Sequence, residues 1–458
     1  MNTTNVVYKF GGTSQGTVDA INQSASILAN DPAKKIVVVS APSGITDLLI
    51  ASSAQVTNSN YFPTEINQII SSRFHELYDS VPSASNIIDN YMSNLGKYIQ
   101  TKINTNINSA NDIEKLKVAA RIQSTGEDLE STLFSHFLNH LGLNSSKMPQ
   151  DLIRLKGNYL EASFNRIADN PIRTFMETST QITVVGGFYG FNNSQDHMLL
   201  GRGASDLTQT ELMRITNASH GFNCTDVNGI KMIDPRLLDN QERVNTPTIL
   251  NLNYAQTQEL SRQGAKVLHP RCIEPLKENN IPLYVMNTFD PTGHMTKISN
   301  ITTNRLKENS KLLAVTGKKE SFVTITLNSG NMEGRSGYLA SFASAFKDVD
   351  LDIITTSAVE ISASFHDKYS KANTIKNKLS TLGDVSVNNS TALLAIVGDH
   401  LDLEPKLTGD FFNLMSQENI PVQQITKSNN NSLWVSIPST KYEQALIAVY
   451  KNLLHTNK

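Results

Sequence analysis

Cysteine is scarce in this sequence: its 458 residues include two, Cys224 and Cys272. Two cysteines are too few for a disulfide framework and are typical of a protein kept in a reducing compartment. The sequence also has no apolar run near the roughly 20 residues that a membrane-spanning helix needs, and no apolar signal segment at its start. We therefore expect a cytoplasmic protein without a membrane partner.

An excess of charge of one sign is missing as well. The formal net charge is −2 and the pI is about 6.6, so the composition favours neither a nucleic-acid partner nor a membrane surface. No group of histidine, cysteine and aspartate has the spacing of metal ligands, so we expect no metal held by the protein itself. The length exceeds that of one ordinary core and predicts two or three domains.

The sequence does contain an anion-binding turn directly after its first strand. Residues 6–10 form a short apolar run that carries Lys9, and Gly11, Gly12 and two hydroxyl residues follow before a helical pattern from about Thr17. Glycines let backbone N–H groups approach an anion closely, and a helix N-terminus adds donors and a positive dipole end. The spacing is not that of a Walker A loop, so a phosphate site here belongs to another fold.

Two further glycine-rich segments indicate one composite anion site. Residues 186–187 end an apolar strand-like run, and residues 201–203 precede another helical pattern. We expect Ser205 or Asp206 to cap that helix. Arg202, placed between two glycines, can bind a carboxylate with its planar guanidinium group.

Hydrophobic patterning predicts the fold class. The apolar run 36–39 is typical of a strand in a mostly parallel sheet that helices cover on both faces. Residues 64–122 have a largely helical, polar pattern. Beyond about residue 312 the character changes, and the strand–helix–strand order of 313–357 recurs in 392–425. This approximate repeat predicts two small α+β modules.

Together these motifs resemble those of the aspartokinases, which are amino acid kinases. The matching segments, in the order of that family, are residues 9–14, 40–46, 124–127, 201–206, 225–230 with 234–236, and 264–270. The resemblance implies a three-layer α/β/α kinase domain over 1–300 and two ferredoxin-like ACT domains. It places the first ACT domain at 301–388, completed by 440–458, and the second at 389–439. No nicotinamide-binding module follows, so we expect no fused dehydrogenase.

The resemblance also implies an activity. The γ-phosphoryl group of ATP would pass to the β-carboxylate of L-aspartate and give 4-phospho-L-aspartate, the first step of lysine, threonine and methionine biosynthesis. Mg²⁺ is expected on the phosphates of ATP, without a prosthetic group. Feedback by an amino-acid effector is expected, lysine first, with threonine, or the two acting together, as alternatives. The resemblance implies a homodimer or tetramer that forms through the ACT domains.

Each matching position carries an implied role. Lys9, Gly11 and Gly12 would bind the transferring phosphoryl group, and Asp206 would orient Lys9. The residues implied around aspartate are Thr46 (a hydroxyl donor), Glu127 (the ammonium partner), Phe188 (a wall), Arg202 (the carboxylate partner) and Ser205. The residues implied around ATP are Lys9, Gly12, Thr225, Asp226, Lys231, Arg236, Lys266 and Val267. In isolation, Ser124 and Glu127 also have the spacing of a capping box.

The effector is expected at a turn before a helix and at the strand that follows. The residues concerned are Ser336, Gly337, Asp350, Thr355, Thr356 and Ser357. We prefer Asp350 to Asp352 as the ammonium partner because it lies just ahead of the strand. An ammonium beside a carboxylate and a carboxylate at the helix N-terminus are the contacts expected of an amino acid.

Departures from the aspartokinase pattern and two other functions remain to be weighed. Ala204 replaces a frequent glycine, and Cys224 and Lys231 stand where an aromatic residue is common, so the role of Lys231 is open.

Another amino-acid kinase, such as a glutamate 5-kinase, is disfavoured by the paired ACT-like tail. A catalytically silent amino-acid sensor is disfavoured because Lys9, Glu127, Arg202 and Asp206 are all present.

Overall fold

The computed structural model describes residues 5–179, 181–201, 203–262, 268–300, 312–330, 332, 336–367, 370–401, 404–428 and 431–454. The chain divides into two compact units. The first comprises 1–230, 250–254 and 268–300, and the second comprises 231–249, 255–267 and 301–458. Two short stretches of the predicted kinase segment therefore cluster with the second unit.

The first unit is built on a mostly parallel sheet, as the patterning predicts. The strands up to residue 300 are β1 Asn5–Phe10, β2 Lys34–Val39, β3 Ser145–Lys147, β4 Leu155–Gly157, β5 Ala162–Phe164, β6 Ile182–Gly186, β7 Tyr189–Phe191, β8 His197–Leu199, β9 His220–Thr225, β10 Asn251–Leu252, β11 Leu283–Asn287 and β12 Thr296–Ile298. Eight of them form one sheet in the order β10-β12-β11-β9-β1-β2-β6-β3. All neighbours from β11 to β3 are parallel, whereas β12 is antiparallel to β11.

Helices cover both faces of this sheet. The helices up to residue 300 are α1 Val18–Asn30, α2 Ile45–Ser59, α3 Thr64–Tyr78, α4 Ala84–Asn104, α5 Asp112–Gln123, α6 Thr125–His140, α7 Asn170–Thr178, α8 Ala204–Thr216, α9 Asn240–Val244, α10 Tyr254–Arg262 and α11 Ile273–Asn279. Of these, α9 and all of α10 except Tyr254 belong to the second unit. On one face, alternate side chains of β1 join α1–α6 in a single apolar core. On the other face, Gln209 of α8 donates to the carbonyls of Val7 and Phe222. Among the described residues no helix is both long and apolar enough to span a membrane.

Local chemistry sets the helix starts near the sheet edge. Thr17 caps α1, because its Oγ1 accepts the N–H of Ala20 at 3.1 Å, which confirms the predicted helix start. The predicted side-chain cap of α8 is wrong: Gly203, with φ 70°, is the N-cap and no side chain caps the helix. Glycine adopts this left-handed conformation without strain, so Ser205 and Asp206 fall inside the first turn.

The second unit holds two antiparallel four-stranded sheets. Its strands are β13 Leu312–Lys318, β14 Phe322–Asn328, β15 Leu351–Thr356, β16 Glu360–His366, β17 Asp384–Asn388, β18 Thr391–Gly398, β19 Gln424–Ser428 and β20 Ser432–Pro438. Its later helices are α12 Tyr338–Ala345, α13 Ala372–Leu379, α14 Pro405–Gln417 and α15 Tyr442–Val449. The sheet orders are β15-β16-β14-β17 and β13-β18-β20-β19. Both have the strand order expected of ferredoxin-like modules, each with two helices.

The way the chain completes these modules differs from the predicted division. Strands β14–β17 with α12 and α13 form one complete module, here called the inner module. Strand β13 pairs with β18, not with β14, and α15 packs in the core of that same sheet. The C-terminal segment therefore completes the module of β18–β20, here called the outer module. The predicted division places β13 in the same module as β14, whereas β13 supplies the fourth strand of the later sheet.

The two modules of this unit share a boundary that is partly apolar and partly polar. Five buried side chains form its apolar part: Phe322, Ile353, Leu393, Ala395 and Trp434. Gln424 lies beside them, donating to Thr355 at 3.1 Å and accepting from Ser364. Buried polar groups that satisfy one another fix the register of two packed surfaces.

Candidate active site

Loops at the carboxyl ends of neighbouring parallel strands bring the predicted motifs together. Strands β9, β1, β2 and β6 are adjacent in the sheet. Ser43, after β2, donates its N–H to the carbonyl of Gly12, after β1, at 3.1 Å, and Gly187, after β6, donates to the carbonyl of Val39 at 2.9 Å. The turns after β1, β2 and β6 therefore form one edge, which is where open α/β sheets bind ligands.

Lys9 holds its ammonium group at this edge. Its Nζ lies 2.8 Å from Oδ1 of Asp206, and both side chains are largely buried. Asn223 donates to the same carboxylate oxygen at 3.1 Å. A Cβ at Gly11 would lie 3.4 Å from Nζ, so the cation sits against the glycine turn. A partly desolvated cation at a glycine turn is what an anion site requires, whereas the N–H of Gly11, predicted to bind the anion, donates to the carbonyl of Cys224 at 3.3 Å.

Asn223 is a residue of this site that the sequence analysis did not predict. It lies on β9 directly opposite Lys9 in the parallel register, and it is buried. The signal that could have found it is this register, because a polar residue within a buried strand needs a partner. The strand pairing was not part of the sequence prediction, so the signal could not be used.

Close approach explains two of the site glycines. A Cβ at Gly12 would come within 2.9 Å of the carbonyl oxygen of Ala41, and one at Gly187 within 2.5 Å of Oγ of Ser205. Both distances are shorter than carbon contacts allow, so any larger residue would push the loops apart. The first turn of α8 is thereby held against the turn that follows β6.

Glu127 is the buried carboxyl group of the site. Burial raises its pKa to about 8, although the backbone N–H groups of Ala41 and of Glu127 itself donate to the carboxylate and oppose the shift. Its Oε2 has no hydrogen-bond partner within the described part of the chain. The capping-box alternative does not hold, since Oγ of Ser124 contacts Nδ1 of His197 at 2.8 Å and donates to the carbonyl of Arg121.

A second buried carboxyl group, Glu130, lies one turn further along α6. Tyr78 donates to its Oε1 at 2.6 Å, and burial raises the pKa of Glu130 to about 8, with Glu127 adding to the rise. The neighbouring Asp128 behaves in the opposite way. Burial would raise its pKa, but the ammonium group of Lys147, together with the hydroxyl groups of Tyr189 and Tyr91, outweighs that effect and lowers it to about 2. Helix α6 therefore carries neutral and ionised carboxyl groups side by side at pH 7.

The raised pKa of Glu130 predicts that the effect of Glu130→Gln on the free energy of unfolding depends on pH. Unfolding returns the pKa of Glu130 from about 8 to its ordinary 4.5. The folded state is therefore favoured below pH 4.5, and this advantage is lost as the pH rises toward 8. Glutamine keeps an acceptor for Tyr78 but does not ionise. We expect the variant to unfold at a similar temperature to the parent at pH 5 and to be more stable by roughly 4 kcal/mol at pH 8.

Thermal unfolding at the two pH values checks this prediction. Glu76→Gln is the matched control, because Glu76 lies on α3 with its side chain 65% exposed. A stability gain of Glu130→Gln that is equal at both pH values would contradict the assignment of a neutral, buried carboxyl group.

The wall and hydroxyl residues of the predicted pocket lie at the same edge. Phe188 follows β6 in the left-handed region, with φ 72°, and is buried. Thr46 lies in the first turn of α2, directly after Gly44 and Ile45, and is half-buried. Ser205 contacts Gly187 as described above. Arg202 lies outside the described residues.

The predicted nucleotide residues are divided between the two units of the chain. Thr225 ends β9, and its Oγ1 donates to Asp226 at 3.1 Å. Lys231 and Arg236 belong to the second unit, where Lys231 donates to Thr246 and Thr248. Arg236 pairs with Asp234 at 2.5 Å. Lys266 and Val267 lie outside the described residues.

The predicted effector residues lie in the inner module. Gly337, with φ 93°, is the N-cap of α12, and Ser336 and Asp350 are exposed. Asp352 forms an ion pair with Lys318 of β13 at 2.6 Å, so its carboxylate is already paired. Thr355 accepts the hydrogen bond from Gln424 across the boundary between the two modules. Thr356 donates to the carbonyl of Ser357, and Ser357 accepts the N–H of Glu360.

Comparison with known families shows which family this chain belongs to. The family model described as amino acid kinase family matches residues 5–287, which contain the turns described above and every strand of the eight-stranded sheet except β12. The chain belongs to the amino acid kinase family. A second model, described as ACT domain, matches residues 394–453, within the outer module of this amino acid kinase. The predicted family and fold class are thus confirmed.

Individual relatives of this amino acid kinase carry aspartokinase names. It is 26% identical to lysine-sensitive aspartokinase 3 of Escherichia coli, over 98% of this chain and 99% of that protein. It is 27% identical to the bifunctional aspartokinase/homoserine dehydrogenase of Haemophilus influenzae, over 99% of this chain but 57% of that longer protein. The crystal structure of E. coli aspartokinase III in complex with aspartate and ADP matches with a TM-score of 0.83 and 25% identity, over 98% of this chain and 99% of that one.

Proposed function

We propose that this amino acid kinase is an aspartokinase, which transfers the γ-phosphoryl group of ATP to the β-carboxylate of L-aspartate. The observation that carries the proposal is the Lys9–Asp206 ion pair set against the glycine turn after β1, at 2.8 Å. The full-length similarity to an aspartokinase that was crystallised with aspartate and ADP supports it.

The chemistry of this transfer needs positioning and positive charge more than proton transfer. The β-carboxylate is ionised at pH 7, so an oxygen attacks the γ-phosphorus without a general base. A new O–P bond forms while the bond to the bridging oxygen of ADP breaks, and ADP leaves with the electron pair. Negative charge spreads over the transferring oxygens, where the ammonium of Lys9 and the N–H group of Gly12 stabilise it. The N–H of Gly11 donates to the carbonyl of Cys224 at 3.3 Å.

Asp206 and Asn223 act on Lys9. The carboxylate of Asp206 holds the ammonium group of Lys9 at the turn, and Asn223 fixes that carboxylate from β9 at 3.1 Å. Preorganised charge of this kind needs little rearrangement during the reaction.

Aspartate presents two carboxylates and one ammonium group to the protein. Glu127, with an unpartnered oxygen, supports the role of ammonium partner, and Phe188 that of a wall. Arg202 is proposed for a carboxylate, with Thr46 and Ser205 as hydroxyl donors. The ammonium of aspartate would convert Glu127 to its ionised form on binding, because a nearby cation lowers the pKa of a carboxyl group.

ATP is proposed to contact Gly12, Thr225 and Asp226 in the first unit. Lys231, Arg236, Lys266 and Val267 remain proposals for the same nucleotide. Mg²⁺ would enter on the phosphates of ATP. Within the described residues no group of three or more histidine, cysteine, aspartate and glutamate side chains could hold a metal ion.

A coupled assay of ADP release tests the proposed activity. We expect ATP consumption that depends on L-aspartate, with L-glutamate as the comparison substrate. Preference for glutamate would favour another amino-acid kinase. The absence of turnover with either substrate, together with amino-acid binding, would favour the silent sensor.

Regulation and assembly complete the proposal. Lysine is proposed as the effector, supported by the name of the lysine-sensitive relative. A homodimer or tetramer through the ACT domains and a cytoplasmic location are proposed as well, the latter supported by two buried free cysteines. We assign residues 322–388 to the inner ACT domain, and 312–318 with 391–454 to the outer one.

The effector site gives a paired mutational prediction. We expect Asp350→Ala to raise the lysine concentration for half-inhibition by about tenfold, without changing the uninhibited kcat, because it removes the exposed ammonium partner. Asp352→Ala is the matched comparison, since its carboxylate is paired with Lys318. If Asp352→Ala alone relieved inhibition, the ammonium partner would be Asp352. Full inhibition of both variants would place the effector elsewhere.

A further inference from the structure

A residue outside all the predicted motifs connects the substrate pocket to α8. Thr208 lies in the second turn of that helix and is completely buried. Its Oγ1 donates to the carbonyl of Ala204 at 3.1 Å and accepts the backbone N–H of Phe188 at 3.2 Å. The hydroxyl group therefore joins the helix that carries Asp206 to the turn that carries the pocket wall.

Phe188 has a backbone conformation that needs such support. Its φ of 72° lies in the left-handed region, which a bulky side chain rarely adopts. Strained residues of this kind persist where surrounding contacts hold them, and they cluster at functional sites. The carbonyl of Phe188 is fixed as well, because it accepts the N–H of Leu200 at 2.8 Å.

The geometry of Gly187 shows that the turn after β6 is packed tightly against α8. A Cβ at Gly187 would come within 2.5 Å of Oγ of Ser205, so the turn lies directly against the first turn of α8. The turn has no room to shift toward the helix. Movement away from the helix is opposed by the hydrogen bond to Thr208.

We infer that Thr208 is a positioning residue for the amino-acid substrate, whose hydroxyl group holds Phe188 in its strained conformation and so sets the depth of the pocket. This inference rests on the proposed function for the identity of the substrate. Without the hydroxyl group, the N–H of Phe188 would be buried without a partner. The backbone would relax toward negative φ, and the aromatic ring would leave its position.

Thr208→Val tests the role because valine has the same shape without the hydroxyl group. We expect the KM for aspartate to rise about tenfold, while kcat and the KM for ATP change less than about twofold. Thr208→Ser should restore the KM for aspartate to within about twofold of the parent. The discrimination between aspartate and glutamate should narrow in the valine variant.

A double-mutant cycle with Phe188→Gly separates positioning from general stability. Glycine accepts positive φ without strain, so Thr208→Val should add little to the KM for aspartate in that background. Amide hydrogen exchange provides a readout that needs no activity: the N–H of residue 188 should exchange faster in Thr208→Val than in Thr208→Ser. If the valine variant does not fold, Thr208→Ala takes its place in every comparison.

Two results would overturn the inference. One is an aspartate KM that is the same in the valine and serine variants. The other is an equal loss in kcat and in both KM values, which would show a general structural role. A parent enzyme that forms no ADP with aspartate would refute the proposed function instead, and the exchange rates would still decide whether Thr208 holds Phe188.

Discussion

Replacing Lys9 by methionine is expected to lower kcat by roughly 10²- to 10³-fold, because one preorganised charge is removed from the transferring phosphoryl group. Methionine keeps much of the length and apolar stem of lysine, so the strand should still pack. The ion pair at 2.8 Å would be lost and Asp206 would retain Asn223 as its partner. Initial rates of ADP release at saturating ATP and aspartate measure the effect.

Lys97→Met is the matched control for this variant, since Lys97 is exposed on α4. It should leave kcat unchanged within about twofold, as surface substitutions usually do. Thermal unfolding of both variants shows whether lost activity follows lost structure. A Lys9→Met enzyme with a near-normal kcat would remove Lys9 from the proposed mechanism.

Replacing Glu127 by glutamine is expected to raise the KM for aspartate by about 100-fold, because the ammonium group of the substrate would lose its buried charge partner. Glutamine preserves the shape of the side chain and an acceptor oxygen, so a rise in the KM for aspartate would measure the loss of the negative charge. The KM for ATP should change far less. The same assay with varied aspartate and fixed ATP gives both constants.

The pH profile of the parent enzyme follows from the same residue. Because burial raises the pKa of Glu127 to about 8, the free enzyme holds this carboxyl group protonated at pH 6. Only the carboxylate pairs with an ammonium group, so kcat/KM for aspartate should rise with pH, by up to about tenfold per unit, and level off above about pH 8. Glu127→Gln should remove this rise, whereas Glu130→Gln should keep it. A flat profile of the parent enzyme would contradict the assignment.

The sequence was sufficient where local patterns determine structure. The buried run of β2, the helix start after Thr17 and the glycine turn beside Lys9 all follow from side-chain type and spacing. Glycine-rich turns at strand ends meet in space because parallel strands share one edge. The site at the ends of β1, β2 and β6 was therefore predictable before the strand order was known.

Contacts between distant segments were not predictable in the same way. Asn223 and Thr208 act through partners that only the register of β9 and the packing of α8 bring near. The cap of α8 was missed because Gly203, which needs no side-chain bond, competes with Ser205 and Asp206. The pairing of β13 with β18 depends on a strand order that hydrophobic periodicity does not encode.

That pairing has a mechanical consequence for the inner module. Its first and last strands, β14 and β17, pair with each other, so both of its ends lie at one place on the same sheet. Each end leads by a short connection into β13 or β18, which are themselves paired. The inner module is thus an insertion attached by two neighbouring connecting segments, 319–321 and 389–390. Cleavage of 319–321 alone would leave the module attached through 389–390. A rotation of the inner module would be transmitted through both segments to the paired strands β13 and β18.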